Sequence, residues 1–118
     1  TSDSGLREHD RDETRVVLTS TERRALIIEC IRKPDELIHG SETVGAARDR
    51  FGKAVKRLMM DVTDETVAIV AHGTVISTFV GEILDIDPVP IWDSIGLPGF
   101  VEIEWPNPTE ILDQQKFE

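Results

Sequence analysis

The stretch Thr66-Val-Ala-Ile-Val-Ala-His-Gly-Thr-Val-Ile-Ser77 decides the fold. Its first half, Thr66–Ala71, is apolar, rich in β-branched side chains and free of polar alternation. A short run of that kind predicts a strand buried on both faces, hence a parallel sheet under helices. His72-Gly73-Thr74 follows at once. Val75, Ile76, Phe79, Val80, Ile83 and Leu84 then recur at helical spacing, up to a stop at Asp85-Ile-Asp-Pro88. Ligands of open α/β sheets sit at the carboxyl ends of strands. The N-terminus of the next helix offers unpaired N–H groups and the positive end of a dipole, which suits an anion. Gly73 lets the backbone turn tightly, and His72 adds a donor, or a full charge when protonated. The turn is a candidate phosphate site. The same residues also fit a histidine that merely caps a strand and bonds a neighbouring carbonyl.

Upstream, two helices are expected. One runs from about Ser20 to Arg32: Thr19 and Glu22 have capping-box spacing, Pro34 closes the segment, and Leu26, Ile27, Cys30 and Ile31 form an apolar face. The other opens at Ser41 as N-cap, with Glu42 in its first turn. Its apolar face is Val44, Ala47, Phe51, Ala54, Val55, Leu58 and Met59, and Lys53, Lys56 and Arg57 fall in its second half. Downstream, Pro88 to Pro98 is punctuated by proline, and Ile91-Trp92 is expected as a single helical turn. Gly99 to Trp105 alternates and predicts a half-exposed strand. Pro106-Asn-Pro108 turns the chain, and Glu110–Asp113 pairs back as an edge strand. Helix, helix, buried strand, helix, strand is an α/β pattern.

The chain has 118 residues, with 13 Lys and Arg against 23 Asp and Glu, for a net charge of −10. Such a length is one domain, or part of one, with a core of its own; residues 1–118 are read as one partial domain. The acidic balance argues against a nucleic-acid partner and against docking on an anionic membrane. No apolar run approaches the ~20 residues of a membrane span. The lone Cys30 excludes an internal disulfide and a cysteine-based zinc cluster, and points to a reducing, cytoplasmic setting. On an apolar helix face with no adjacent base, Cys30 is expected to fill core space.

Two further clusters carry chemistry. Gly5-Leu-Arg-Glu-His-Asp-Arg-Asp-Glu13 sets a carboxylate among Arg7, His9 and Arg11 on a loop, where burial makes a general acid possible. The plain alternative is a solvated charge run. A metal site at His9, Asp10 and Asp12 has no supporting helical spacing, and none is expected. Ile38-His-Gly-Ser-Glu-Thr43 places a second His-Gly pair before an amphipathic helix rather than after a strand. His39 is read as an incidental surface histidine, with Gly40 and Ser41 as loop and cap.

LREHDR at 6–11, PDELIHGSETVGAARDRFGKAV at 34–55 and TVAIVAHGTVIS at 66–77, in that order, resemble the C-terminal half of the histidine phosphatase superfamily, the phosphoglycerate-mutase-like proteins. The resemblance covers roughly residues 5–105. It implies an α/β/α sandwich on a mostly parallel sheet, and phosphoryl transfer through a phosphohistidine to water or to a second hydroxyl, with no cofactor. Carried over by position, His72 matches the second active-site histidine, which stabilises charge on the phosphoryl oxygens. Glu8 matches the acid that protonates the leaving oxygen. Gly73 and Thr74 match the turn beside the phosphate, and Arg7 flanks the acid as a substrate-binding residue. These roles agree with what the residues can do unaided.

The family's nucleophile sits in an Arg-His-Gly motif on the first strand, and a further arginine follows some fifty residues later. Neither is present in this chain: the His-Gly pairs, His39-Gly40 and His72-Gly73, do not follow arginine. The chain is therefore expected to lack the family's first strand and to be catalytically incomplete. Two functions stand. One is a phosphomonoester phosphatase or mutase, acting on a phosphorylated small molecule in the full-length parent. The other is a non-catalytic α/β module acting through self-association or partner binding. A missing strand leaves Thr66–Ala71 with an apolar edge, so a homo-oligomer, or pairing with the missing N-terminal half, is expected.

Overall fold

The computed structural model describes residues 3–10, 18–38, 40–60, 62, 67–95, 99–106, 108 and 110–116. A 3-10 turn, Ser4–Leu6, comes first. It is followed by the helices α1 (Ser20–Arg32), α2 (Val44–Met59), α3 (Gly73–Leu84) and α4 (Pro88–Ile95), then the strands β1 (Gly99–Ile103) and β2 (Ile111–Lys116). The protein is a small α/β structure with four helices and a two-stranded sheet among the described residues.

Local chemistry accounts for the helix ends. Thr19 and Glu22 form the capping box read from the sequence: the Thr19 hydroxyl accepts the Glu22 N–H, and the Glu22 carboxylate accepts the Thr19 N–H, both at 3.1 Å. Helix α2 begins later than expected. Its N-cap is Thr43, whose hydroxyl accepts the Ala46 N–H at 3.0 Å. Ser41 instead donates to Asp10 at 2.6 Å, so Ser41 and Glu42 belong to the preceding loop. Helix α3 ends at Asp85, in the left-handed region at φ 55, with the Ile86 N–H returning to the Gly81 carbonyl at 2.9 Å. Helix α4 is longer than the one turn expected. Pro88 and Pro90 lie in its first turn, where backbone N–H groups have no partner within the helix, so proline costs nothing there. Asp87 caps that turn by accepting the Val89 N–H at 3.0 Å.

Two apolar clusters hold the elements. Ala47, Phe51 and Val55 of α2 meet Val75, Phe79 and Val80 of α3 and Ile91 and Ile95 of α4. The Phe51 and Phe79 rings meet edge to face, with centroids 5.4 Å apart, and Trp105 lies beyond Phe79 at 6.5 Å. Ile27 and Ile31 of α1 pack with Val89, flanked by Ile28 and Trp92. Cys30 is buried as expected, at 2% exposure. Two exposed ion pairs, Arg24–Asp93 and Arg32–Asp87, join α1 to α4 and its cap at 2.6 and 2.7 Å.

The sheet differs from the one expected. Strands β1 and β2 pair antiparallel, from Gly99 opposite Lys116 to Ile103 opposite Ile111, with an irregularity between Glu102 and Ile103. This is the alternating hairpin anticipated around Pro106-Asn-Pro108. Thr66–Ala71 was expected as a strand buried in a mostly parallel sheet. Thr66 lies outside the described residues, and Val67–Ala71 belongs to no sheet. Val67 is 41% and Val70 89% exposed. The physical reason is the want of a ladder partner: a strand exists by hydrogen bonding to a neighbour, and none of the described residues lies alongside to supply it. Instead the segment borders an open apolar groove of about 720 Å³, walled by Phe79 of α3 and by β1.

Candidate functional site

The loop from Gly5 to Asp10 lies across the start of α3. His72 is the N-cap residue of α3, with an extended backbone (φ −123, ψ 155) and a carbonyl that accepts the Ile76 N–H at 3.1 Å. Its imidazole makes no capping bond and is exposed. Gly73 and Thr74 follow, both buried. The amides that open α3 have a ligand from within the chain. Glu8 accepts the Thr74 N–H at 3.1 Å through one carboxylate oxygen and the Val75 N–H at 3.0 Å through the other. The second oxygen also accepts the His9 N–H at 3.1 Å. A negative group at a helix N-terminus is favourable both as a hydrogen-bond acceptor and through the dipole.

The sequence-derived candidates thus meet in part. Glu8 and the His72-Gly73-Thr74 turn come together although far apart in sequence. Thr74 is 1% exposed, its hydroxyl is buried with it, and its N–H is engaged by Glu8. Gly73 does not have a positive φ, and a Cβ there would meet only Trp92 at an ordinary 3.7 Å. Its backbone conformation therefore does not demand glycine. Arg7 is exposed; its guanidinium donates to the Ser4 carbonyl at 3.3 Å and lies 3.9 Å from Glu42. His39, Arg11 and Asp12 lie outside the described residues. Among the described residues no group of three or more His, Cys, Asp or Glu is placed to hold a metal ion.

Behind Glu8 lies a polar cluster that sequence reasoning missed. Arg50 of α2 grips the Glu42 carboxylate with two bonds of 3.0 Å, from Nε and Nη2. Its remaining donors reach the carbonyls of Gly5, Arg7 and Glu8 at 2.7, 2.7 and 3.2 Å. Glu42 also accepts the Asp10 N–H at 3.2 Å, and its carbonyl takes the His9 Nε2–H at 2.6 Å. His9 is only 4% exposed, and its Nδ1 has no hydrogen-bond partner among the described residues. Burial pushes the Glu42 carboxyl up, but the Arg50 hydrogen bonds, the Asp10 N–H and the charges of Arg50 and Arg7 outweigh it and hold the group below its ordinary value. The one sequence signal for this cluster was Arg50 itself, a cation next to Phe51 on the border of a long apolar face.

Comparison with curated proteins and with solved structures returns no significant match. Residues 1–109 match the histidine phosphatase superfamily (branch 1). That span holds the Glu8 loop, the Arg50 cluster and the His72 turn together, and the chain belongs to the histidine phosphatase superfamily.

Proposed function

We propose that this chain carries the acid and the second histidine of a phosphoryl-transfer site. The activity is that of a phosphomonoester phosphatase or a phosphoglycerate-mutase-like enzyme, working through a phosphohistidine in the full-length parent. The observation that carries the reading is the convergence of Glu8 on the His72-Gly73-Thr74 turn. In this reading the exposed His72 donates to the phosphoryl oxygens and stabilises their charge in the transition state. Gly73 and Thr74 set the turn beside the phosphate, and Arg7 adds a cation at its rim. Glu8 protonates the leaving oxygen. Because both its oxygens accept backbone N–H groups, that step requires Glu8 first to leave at least one α3 amide and take up a proton from solvent. The bond from phosphorus to the leaving oxygen breaks as a bond to the nucleophilic histidine nitrogen forms. Water then takes the phosphoryl group, or a second substrate hydroxyl does. This chain has no Arg-His-Gly to supply that nucleophile, so alone it is catalytically incomplete. The substrate is a phosphorylated small molecule, no cofactor is called for, and the setting is cytoplasmic.

Two measurements on the purified chain test this. With p-nitrophenyl phosphate between about pH 5 and 8, turnover should fall far below an ordinary ~10 s⁻¹. Turnover near that value, abolished by His72→Ala, would place the nucleophile within this chain and sink the proposal. Titration with inorganic phosphate should shift the His72 ring resonances and the Gly73 amide, and His72→Ala should remove the response. An unmoved His72 would leave the phosphate site without support.

The second reading is a module, residues 1–118, that works by association. Exposed Val67 and Val70 beside an apolar groove favour it. Strands from a second copy, or from the N-terminal half of the parent, would complete a mostly parallel sheet in an α/β/α sandwich there.

A further inference from the structure

We infer that Arg50 and Glu42 are positioning residues for Glu8: together they hold the Gly5–Asp10 loop so that its carboxylate reaches the first amides of α3. The inference rests on the phosphoryl-transfer reading only for what Glu8 then does to a substrate. Carbonyls of residues 5, 7 and 8 converge on one guanidinium, although this part of the loop is neither helix nor sheet beyond Leu6. The same guanidinium is clamped in two places on Glu42. Its side chain is 16% exposed and that of Glu42 13%, so little water competes for either. Glu42 in turn fixes the far end of the loop, through the Asp10 N–H and the His9 imidazole.

Only a planar fork with five N–H donors can serve a carboxylate edge and several carbonyls at once. Lysine offers a point charge with three donors and cannot cover the set. Arg50 also sits on α2, which packs directly on α3 through Phe51 and Phe79. The loop is therefore referred to the same rigid pair of helices that carries its target amides. A carboxylate on a free loop would visit Thr74 and Val75 only part of the time; here both neighbours of Glu8, Arg7 and His9, are tethered as well.

The test is nuclear magnetic resonance on the whole chain. In the unaltered protein the Thr74 and Val75 amides, held by the Glu8 carboxylate, should exchange slowly with deuterium, and Glu8→Ala should speed their exchange. Arg50→Lys and Glu42→Gln should each speed that exchange by about twofold or more, with the Phe79 and Ile91 signals unchanged. Unchanged exchange in either folded variant would overturn the inference. Should both variants unfold, the unaltered chain decides. Slow guanidinium rotation would split the Arg50 Nη resonances, and a single averaged signal would overturn it. None of these readouts involves phosphate or turnover, so a failed phosphate titration leaves them standing, and their failure leaves the phosphoryl-transfer reading to its own test.

Discussion

At Gly5 a side chain has nowhere to go. A Cβ there would lie 2.8 Å from the Ala54 Cβ and 3.0 Å from both Arg57 Nη2 and Asp3 Oδ1. The arginine tip can swing away, but Ala54 is wholly buried in α2 and cannot. Gly5→Ala should therefore push the 3-10 turn off α2, lift the Gly5 carbonyl from Arg50, and cost ~1–3 kcal/mol, as overpacking does. Urea unfolding measures it, and an unchanged midpoint would show that the loop yields freely. Glu42 makes a second prediction at this scale. Against the upward push of burial, its carboxyl pKa is held below its ordinary value in the folded chain by the Arg50 hydrogen bonds, the Asp10 N–H and the nearby arginine charges. The unfolded state thus binds its proton at higher pH than the folded state does. The resulting stability is present in full above the unfolded value, and is lost as pH falls below it through the folded pKa. Unfolding midpoints should drop between about pH 5 and 3, and Glu42→Gln should flatten that part of the curve. An equally steep fall in the variant would assign acid sensitivity elsewhere.

Among the elements, α2 and α3 form the pair on which the site depends. Phe79 is 6% exposed and meets Phe51 at its edge, with Trp105 behind. Phe79→Ala removes an aromatic wall shared by the core and the groove. It should cost ~3–5 kcal/mol if the space stays open. A loss under about 1 kcal/mol would mean that Trp105 and the hairpin collapse into the gap. The elements that periodicity announces most plainly, α2 and α3, are also those with the broadest buried faces. Val44, Ala47, Phe51, Ala54 and Val55 all reach the interior as their spacing implies. Proline punctuation conceals α4 because proline breaks a helix only beyond its first turn.

For the whole molecule, the open question is what covers the groove beside Val67–Ala71. Its lining is largely apolar, from Ile69, Ile76, Phe79, Val80 and Ile95 to Val101. Val70 stands almost fully in solvent. A net charge of −10 opposes association, but that repulsion is screened over ~8–10 Å in ordinary salt, whereas apolar burial acts at contact. Sedimentation at micromolar concentration should show a two-fold dimer, and Val70→Asp should return it to monomer without loss of helix content. A compact monomer in both cases would remove self-association from consideration.

What the sequence alone determined is local. The Thr19/Glu22 capping box, the faces of α1, α2 and α3, the burial of Cys30 and the turn at Pro106 each depend on residues within a few positions of one another. Propensity, periodicity and capping act over that range. Motif order also carried the family, because LREH, GSET and AHGT are contiguous strings. Tertiary structure decided the rest. Val67–Ala71 has strand composition, yet a strand needs a second chain segment at hydrogen-bonding distance, and composition does not supply one. Glu8 on α3, and Arg50 on Glu42 and three loop carbonyls, are contacts between distant positions. They exist because packing of α2 on α3 brings those groups within 3 Å or so, where charge and hydrogen bonding take effect.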